Sequence, residues 1–223
     1  LRKMNNILYF LSLDFFEQIL TKKYIYDTIY PYLIHGVIEL NIHHIGTRPI
    51  KTSRLTLRPF VIGDAQAMYE NWASDSEVTR FLRWPPHTDV TVSQTVLSAW
   101  MAEYEKPDFY QWAIVPDDFG APIGTIGVNF CDDMLGLAHI GYAIGRPFWN
   151  RGYTTEALSA VISYLFAYVG MNRIESQHDP DNGASGAVMK KCGMKYEGRK
   201  IDDLFYHGRY WDTLNYYIIN EEV

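Results

Sequence analysis

From Arg151 to Gly170 the chain reads RGYTTEALSAVISYLFAYVG, and no other stretch limits the fold so tightly. Apolar residues stand at Ala157/Leu158, Val161/Ile162, Leu165/Phe166 and Val169. That spacing predicts a helix with one buried face, and Gly170 supplies its C-terminal stop. The front of this helix asks for a different explanation, because Arg151, Gly152, Thr154 and Thr155 add nothing to apolar burial. A helix start leaves backbone N–H groups without partners at the positive end of the dipole, and such an end binds phosphate. Gly152 would let a phosphate approach the backbone, Thr154 and Thr155 would add hydroxyl donors, and Arg151 a charge-assisted contact. An ordinary capped helix whose glycine serves a tight turn accounts for the same residues equally well.

The neighbouring signals build an α/β pattern around that helix. Upstream, Leu55, Leu57 and Pro59-Phe60 read as a short strand, and Asp64 reads as the cap of a helix reaching about Ala73. A polar-aromatic loop, FLRWPP at 81–86, precedes a long helix expected from about Asp89 to Lys106. Strands follow near 109–115, 122–130 and 137–144, with Gly120, Gly124 and Gly127 marking a turn and a bulge. Downstream come a strand at 173–179, a short helix at 183–192 capped by Asn182 and ended by Gly193, and two strands at 194–205 and 209–219 joined by His207-Gly208.

Composition sets limits on partners. The chain has 223 residues, 48% hydrophobic and 21% charged, and a net charge of −6, so the basic surplus of a nucleic-acid binder is missing. Cys131 and Cys192 fall in no metal-ligand spacing, which points to a reduced, cytoplasmic protein without a metal. No apolar run reaches membrane-spanning length. Residues 1–50 differ from the rest, with five basic against four acidic residues where the remainder has fifteen against twenty-two. Leu8, Leu11, Phe15 and Ile19 share a helical face, and a less regular segment runs from Tyr24 to Ile34. The expected organisation is an N-terminal, helical extension over 1–50 and a domain over 51–223. The role of the extension is left open between a cover for the domain or for a partner chain and sequence upstream of the true start.

The stretch IGYAIGRPFWNRGYTTEAL resembles the acetyl-CoA signature Q/R-x-x-G-x-G/A of the GNAT N-acetyltransferases. NGASGAVMKKCGM resembles the N-x-x-S…K-x-G-F segment of the same superfamily. TSRLTLRPF, IGTIGV and Tyr196-Glu197-Gly198 are similar to its RimJ/RimL-like branch, over about residues 51–220. The departures are specific. Trp149 stands at the first position of the signature and Thr154 at its last, so only Gly152 matches strictly. Met194 replaces the usual Phe. Met189 occupies the place of a tyrosine acid found in some members.

The resemblance implies a mixed, mostly antiparallel central sheet with flanking helices (an α/β, or α+β, fold). It implies acetyl-CoA as cosubstrate, no metal, and direct attack of a primary amine on the thioester. Pyrophosphate contacts would come from Arg151, Gly152, Tyr153, Thr154 and Thr155. Tyr142 and Ile144, on the strand 138–144, would pair with the pantetheine arm, and an N–H near Ile144 would polarise the thioester oxygen. Gly141 and Ala143 would keep one side of that strand small. Asn182 and Ser185 would complete the cofactor site, with Ser185 as the acid facing the departing sulfur.

Glu175, His178 and His139 are candidates for the base, none preferred. Phe81, Trp84, Trp100 and Tyr104 are candidate aromatic walls for the acceptor, and Glu103 and Glu105 candidate charges for a cationic amine. The acceptor is expected to be a protein N-terminal amine or a small amine, aminoglycosides included, with no nucleic acid or membrane partner and a homodimer left open. The competing reading is a non-catalytic acyl-CoA-binding or sensory domain. A Rossmann enzyme lacks its early G-x-G-x-x-G.

Overall fold

The computed structural model describes residues 41–221. The helical face from Leu8 to Ile19 and the segment 24–34 therefore lie outside the described residues. Among those described, eight strands form one sheet in the order β1-β2-β3-β4-β5-β6-β8-β7. They are β1 (Ile50–Lys51), β2 (Leu55–Arg58), β3 (Gln111–Pro116), β4 (Gly124–Asp132), β5 (Leu137–Ile144), β6 (Arg173–His178), β7 (Lys195–Tyr206) and β8 (Arg209–Ile219). Only β5 and β6 run parallel; every other neighbouring pair is antiparallel. The helices are α1 (Ala65–Met68), continued by a wider turn over Tyr69–Ala73, α2 (Ser76–Thr79), α3 (Val90–Glu103), α4 (Tyr153–Tyr164) and α5 (Gly183–Lys191).

Period-two alternation sends each strand's apolar residues to two separate cores. Trp112, Ile114, Ile126 and Ile140 pack against Ala157, Leu158, Val161 and Ile162 of α4 on one face. Ala113, Val115 and Ala143 meet Met68, Trp72 and Leu97 of the α1–α3 layer on the other. Ala143 is thus small because a helical layer presses on it. α4 ends in a wide turn over Leu165–Val169, and Gly170 closes it in the left-handed conformation with φ +85°.

Several boundaries differ from the sequence reading for local reasons. Asp64 stands at the N-cap of α1, but its side chain makes no capping bond to that helix. It is the last residue of a 3-10 turn over Ile62–Asp64, and its carboxylate reaches back to the Val61 N–H at 2.9 Å and to the Arg58 guanidinium at 2.7 and 2.8 Å. Asp89 does cap α3, accepting from the Thr91 N–H at 2.8 Å, but the helix ends at Glu103, and Lys106 belongs to a following turn. The bulge in β4 falls between Val128 and Phe130, beyond Gly127. The final hairpin turns on His207 and Gly208, both at positive φ, as a two-residue turn between twisted strands requires.

Residues before position 50 are also bonded into this fold. His43 N–H donates to Val169 O at 2.8 Å, Gly46 N–H to Pro107 O at 2.7 Å, and the Trp112 indole to Arg48 O at 2.7 Å. His43, Gly46 and Arg48 are thus bonded to the domain although they lie ahead of the boundary read from composition.

Candidate active site

The site begins where two strands part. β5 and β6 pair only over Leu137–His139 and Arg173–Glu175. Just beyond, Ser176 Oγ donates to Ile140 O at 2.9 Å, while on the opposite edge Gly145 N–H donates to Ile123 O at 2.9 Å. Strand alternation then aims the backbone groups of residues 140, 142 and 144 at the gap, and those of 141 and 143 at β4. Ile144 O is taken by the Trp149 indole at 2.8 Å. The Tyr142 N–H and C=O and the Ile144 N–H are left along an open strand edge, the kind of edge an extended ligand can pair with. Gly141 keeps the opposite face clear for Asn129, since a Cβ there would stand 2.3 Å from Asn129 Nδ2.

The start of α4 lies on the same opening. Its N-cap is Gly152, at φ +80°, and no side chain caps the helix. The left-handed N-cap turns the first-turn amides outward without a competing acceptor, which suits an anion. A staple missed by the sequence reading holds this turn. The Glu156 carboxylate accepts from Thr52 Oγ1 at 2.7 Å, Ser53 Oγ at 2.9 Å, and Arg54 N–H and Nε at 2.9 and 2.7 Å. Arg54 Nη1 also donates to Arg151 O at 3.0 Å. Burial alone would raise the Glu156 pKa, but the Thr52, Arg54 and Ser53 donors outweigh it and hold it at about 2. The acidic first-turn residue and the arginine of TSRLTLRPF were the available signals; their pairing across some hundred positions was not.

Not every residue of the signature turns its side chain to the opening. Thr154 and Thr155 line it. Tyr153 lends its ring to the core, beneath the Arg54 guanidinium at 4.8 Å. The Arg151 side chain is exposed and leans over the Phe148 ring, apart from the residues that line the cavity.

Across the gap, Asn182 Oδ1 caps α5 by accepting from the Ser185 N–H at 3.3 Å. Ser185 Oγ is 2.9 Å from the Tyr142 hydroxyl, which also lies 3.1 Å from Ser185 O. Tyr142 was expected to act through its backbone; the bond from its phenol to α5 was not foreseen. A single cavity of about 1240 Å³ joins the β5 edge, the α4 start, Asn182 and Ser185 to the face of the α1–α3 layer.

Phe81, Trp84 and Trp100 line that far arm as expected. Tyr104 does not. Its hydroxyl accepts from the Phe60 N–H at 2.9 Å and donates to Gln111 O at 2.8 Å inside the layer, and burial pushes its pKa up to about 12. Glu103 and Glu105 also lie off the cavity, because α3 stops at Glu103, which pairs with Lys106 at 2.5 Å. The tip of the β7–β8 hairpin closes this side, His207 Nε2 donating to Leu82 O at 3.1 Å.

The three candidate bases fare differently. Glu175 is tied to Arg173 at 2.6 Å, and Arg173 also holds Glu197. His178 donates Nδ1–H to Asp179 O at 2.7 Å, while Nε2 is buried against Gly186. His139 lines the cavity with Nε2 buried and unpartnered; burial lowers its pKa, so the ring is neutral near pH 7. Neither thiol is activated, since burial raises both Cys131 (to about 11) and Cys192. Among the described residues no group of His, Cys, Asp and Glu could hold a metal ion, and no helix is long and apolar enough to cross a membrane.

Comparison with known proteins gives a consistent result. Residues 54–195 match the acetyltransferase (GNAT) domain. The chain is 31% identical to the uncharacterized N-acetyltransferase p20 of Bacillus licheniformis, over 77% of its own length and 96% of that protein. It is also 31% identical to the [ribosomal protein uS5]-alanine N-acetyltransferase of Escherichia coli strain K12, over 73% of this chain and 86% of that one. In fold it is similar to the microcin C7 self-immunity acetyltransferase MccE, solved in complex with acetyl-CoA and AMP. The TM-score is 0.70 at 21% identity, over 81% of this chain and 99% of that one.

Proposed function

The chain belongs to the GNAT acetyltransferase family, and from that premise we propose that it moves the acetyl group of acetyl-CoA to the α-amine of a peptide. It is an N-acetyltransferase; the identity of the acceptor and the roles of individual residues are the proposal. The residues present fit the cosubstrate. The uncapped α4 start would receive the diphosphate through the amides of Gly152, Tyr153, Thr154 and Thr155, and the open edge at Tyr142 and Ile144 would receive the pantetheine amides. Acetyl-CoA supplies an acyl group already activated as a thioester. The Ile144 N–H would polarise the acyl oxygen, and Ser185, which also lines the cavity, would donate to the sulfur.

The state of the three base candidates carries the choice of acceptor. At pH 7 a lysine-type ammonium costs about 4.6 kcal/mol to deprotonate and an α-ammonium about 1.1 kcal/mol. Glu175 is tied to Arg173 and is not among the residues lining the cavity, His178 is boxed in by Gly186, and His139 is a neutral imidazole of lowered basicity. Such a set serves an α-amine and not a lysine. The relative that acetylates an alanine of a ribosomal protein supports the same class. A polycationic aminoglycoside fits poorly, because Glu77, Asp179, Asp181 and Asp212 on the cavity wall are nearly balanced by Arg80, Arg83 and Lys191. Apolar arm residues such as Leu82, Trp84 and Val96 suit an uncharged side chain beside the amine.

The test is CoA release with three substrate sets: peptides with a free α-amine, the same peptides blocked at the α-amine but carrying lysine, and aminoglycosides. Release with the first set alone is expected. Release with blocked lysine peptides at an equal rate would overturn the α-amine reading.

A further inference from the structure

We propose that Tyr142 is a positioning residue for Ser185, its hydroxyl fixing the serine side chain so that the serine O–H is free to meet the sulfur of CoA. The inference rests on the reading that Ser185 faces that sulfur. Two distances motivate it: 2.9 Å from the Tyr142 hydroxyl to Ser185 Oγ and 3.1 Å to Ser185 O. A phenol has one proton and a serine hydroxyl has one. The phenol can donate to Ser185 O, which has a second lone pair beyond the one its own helix uses, or to Ser185 Oγ, the shorter contact; the second arrangement is the one proposed. With Tyr142 donating to Ser185 Oγ, the serine proton is left for a third partner. Removing the phenol leaves Ser185 Oγ to turn back on its own helix carbonyls, a habit of serine in helices.

The tyrosine sits where this coupling is useful. Tyr142 is on β5, with its backbone on the open edge, and its side chain crosses to the first turn of α5. One residue thus touches both walls of the cavity. Burial raises the phenol pKa, and the Ser185 bond opposes that rise only in part, so Tyr142 stays protonated throughout the working range. The titratable side chain that acts on it is Cys192, whose thiol burial also keeps protonated.

Tyr142 is therefore a donor and loses no proton in turnover. As the new carbon–nitrogen bond forms and the carbon–sulfur bond breaks, its electron pair settles on sulfur, where the Ser185 O–H stabilises it. The proton shed by the amine balances the one that CoA finally takes from solvent.

The test uses the full chain and Tyr142→Phe, with Tyr142→Met as a second hydroxyl-free variant should the first not fold. CoA binding is measured by calorimetry, and the ionisation of the bound thiol by its thiolate absorbance against pH. In wild type the bound thiol should ionise at lower pH than free CoA, and in Y142F the midpoint should rise by about one pH unit, the scale of one lost charge-assisted bond. CoA affinity should stay within about threefold and kcat fall about tenfold. The double variant with Ser185→Ala should be no slower than S185A alone, because the tyrosine acts through the serine. An unchanged midpoint in Y142F, or rate losses that multiply in the double variant, overturns the inference while leaving the transferase reading intact. A wild-type midpoint equal to that of free CoA shows that Ser185 does not face the sulfur, and both fall together.

Discussion

Gly186→Ala separates the stability of α5 from its placement. A Cβ at Gly186 would stand 2.4 Å from His178 Nε2, 3.0 Å from Cε1 and 3.2 Å from Cδ2, where ordinary contact begins at 3.4 Å. The ring has little room to yield. His178 is 7% exposed, stacks on Tyr216 at 5.5 Å, and is anchored through Nδ1–H to Asp179 O at 2.7 Å. The helix must therefore shift by about 1 Å, at an overpacking cost of about 1–3 kcal/mol. Alanine returns about 1 kcal/mol of helix propensity. The net loss is about 0–2 kcal/mol, a fall in melting temperature of no more than about 8 °C. Catalysis is less forgiving. Ser185 is the preceding residue, and a misplacement of about 1 Å costs on the order of 100-fold in rate. The assays are a thermal melt and steady-state CoA release, with the double variant Gly186→Ala/His178→Ala as control, in which the methyl has room and kcat should recover at least about tenfold over G186A. A raised melting temperature with full activity would refute the packing described for α5.

Gly152→Val places a β-branched residue at φ +80°, costing about 1–2 kcal/mol of backbone strain. CoA affinity should fall about tenfold or more, while pantetheine, which has no diphosphate, should bind as before; equal losses for both would move the anion site elsewhere. Glu156→Gln tests the staple. The folded pKa of about 2 lies below the ordinary 4.5, so this stabilisation is complete above pH 4.5 and lost as pH falls through about 2. After screening by solvent it amounts to about 1–2 kcal/mol. The wild-type advantage in chemical denaturation should shrink across that window, and a gap constant with pH would contradict the assignment. Tyr104→Phe strands the Phe60 N–H and Gln111 O and should cost about 1–3 kcal/mol in urea unfolding, with a loss below about 0.5 kcal/mol counting against it.

Local signals carried much of this structure. The α4 stripe, the Gly170 stop, the Asn182 cap and the His207-Gly208 turn are short-range patterns, and each lies where periodicity and turn chemistry place it. What stayed hidden depends on distant partners. Glu156 meets Arg54 only once β2 lies beside α4, and Tyr142 meets Ser185 only across the opening between β5 and α5. Tyr104 and Glu103, two of the candidate acceptor contacts, lie off the cavity. The Tyr104 hydroxyl is held by Phe60 N–H and Gln111 O, partners that a local pattern does not reveal, and Glu103 pairs with Lys106. Residues 43–50 look like extension by composition and are held to the domain by backbone bonds and by bonds from distant side chains such as the Trp112 indole and the Tyr164 hydroxyl.

A crystal structure of the full chain with CoA tests the centre of this account. The diphosphate oxygens should lie within hydrogen-bond distance of the amides at 152–155, with the sulfur beside Ser185 Oγ. A diphosphate resting away from that helix start, or a sulfur on the far side of β5 from Ser185, would contradict it.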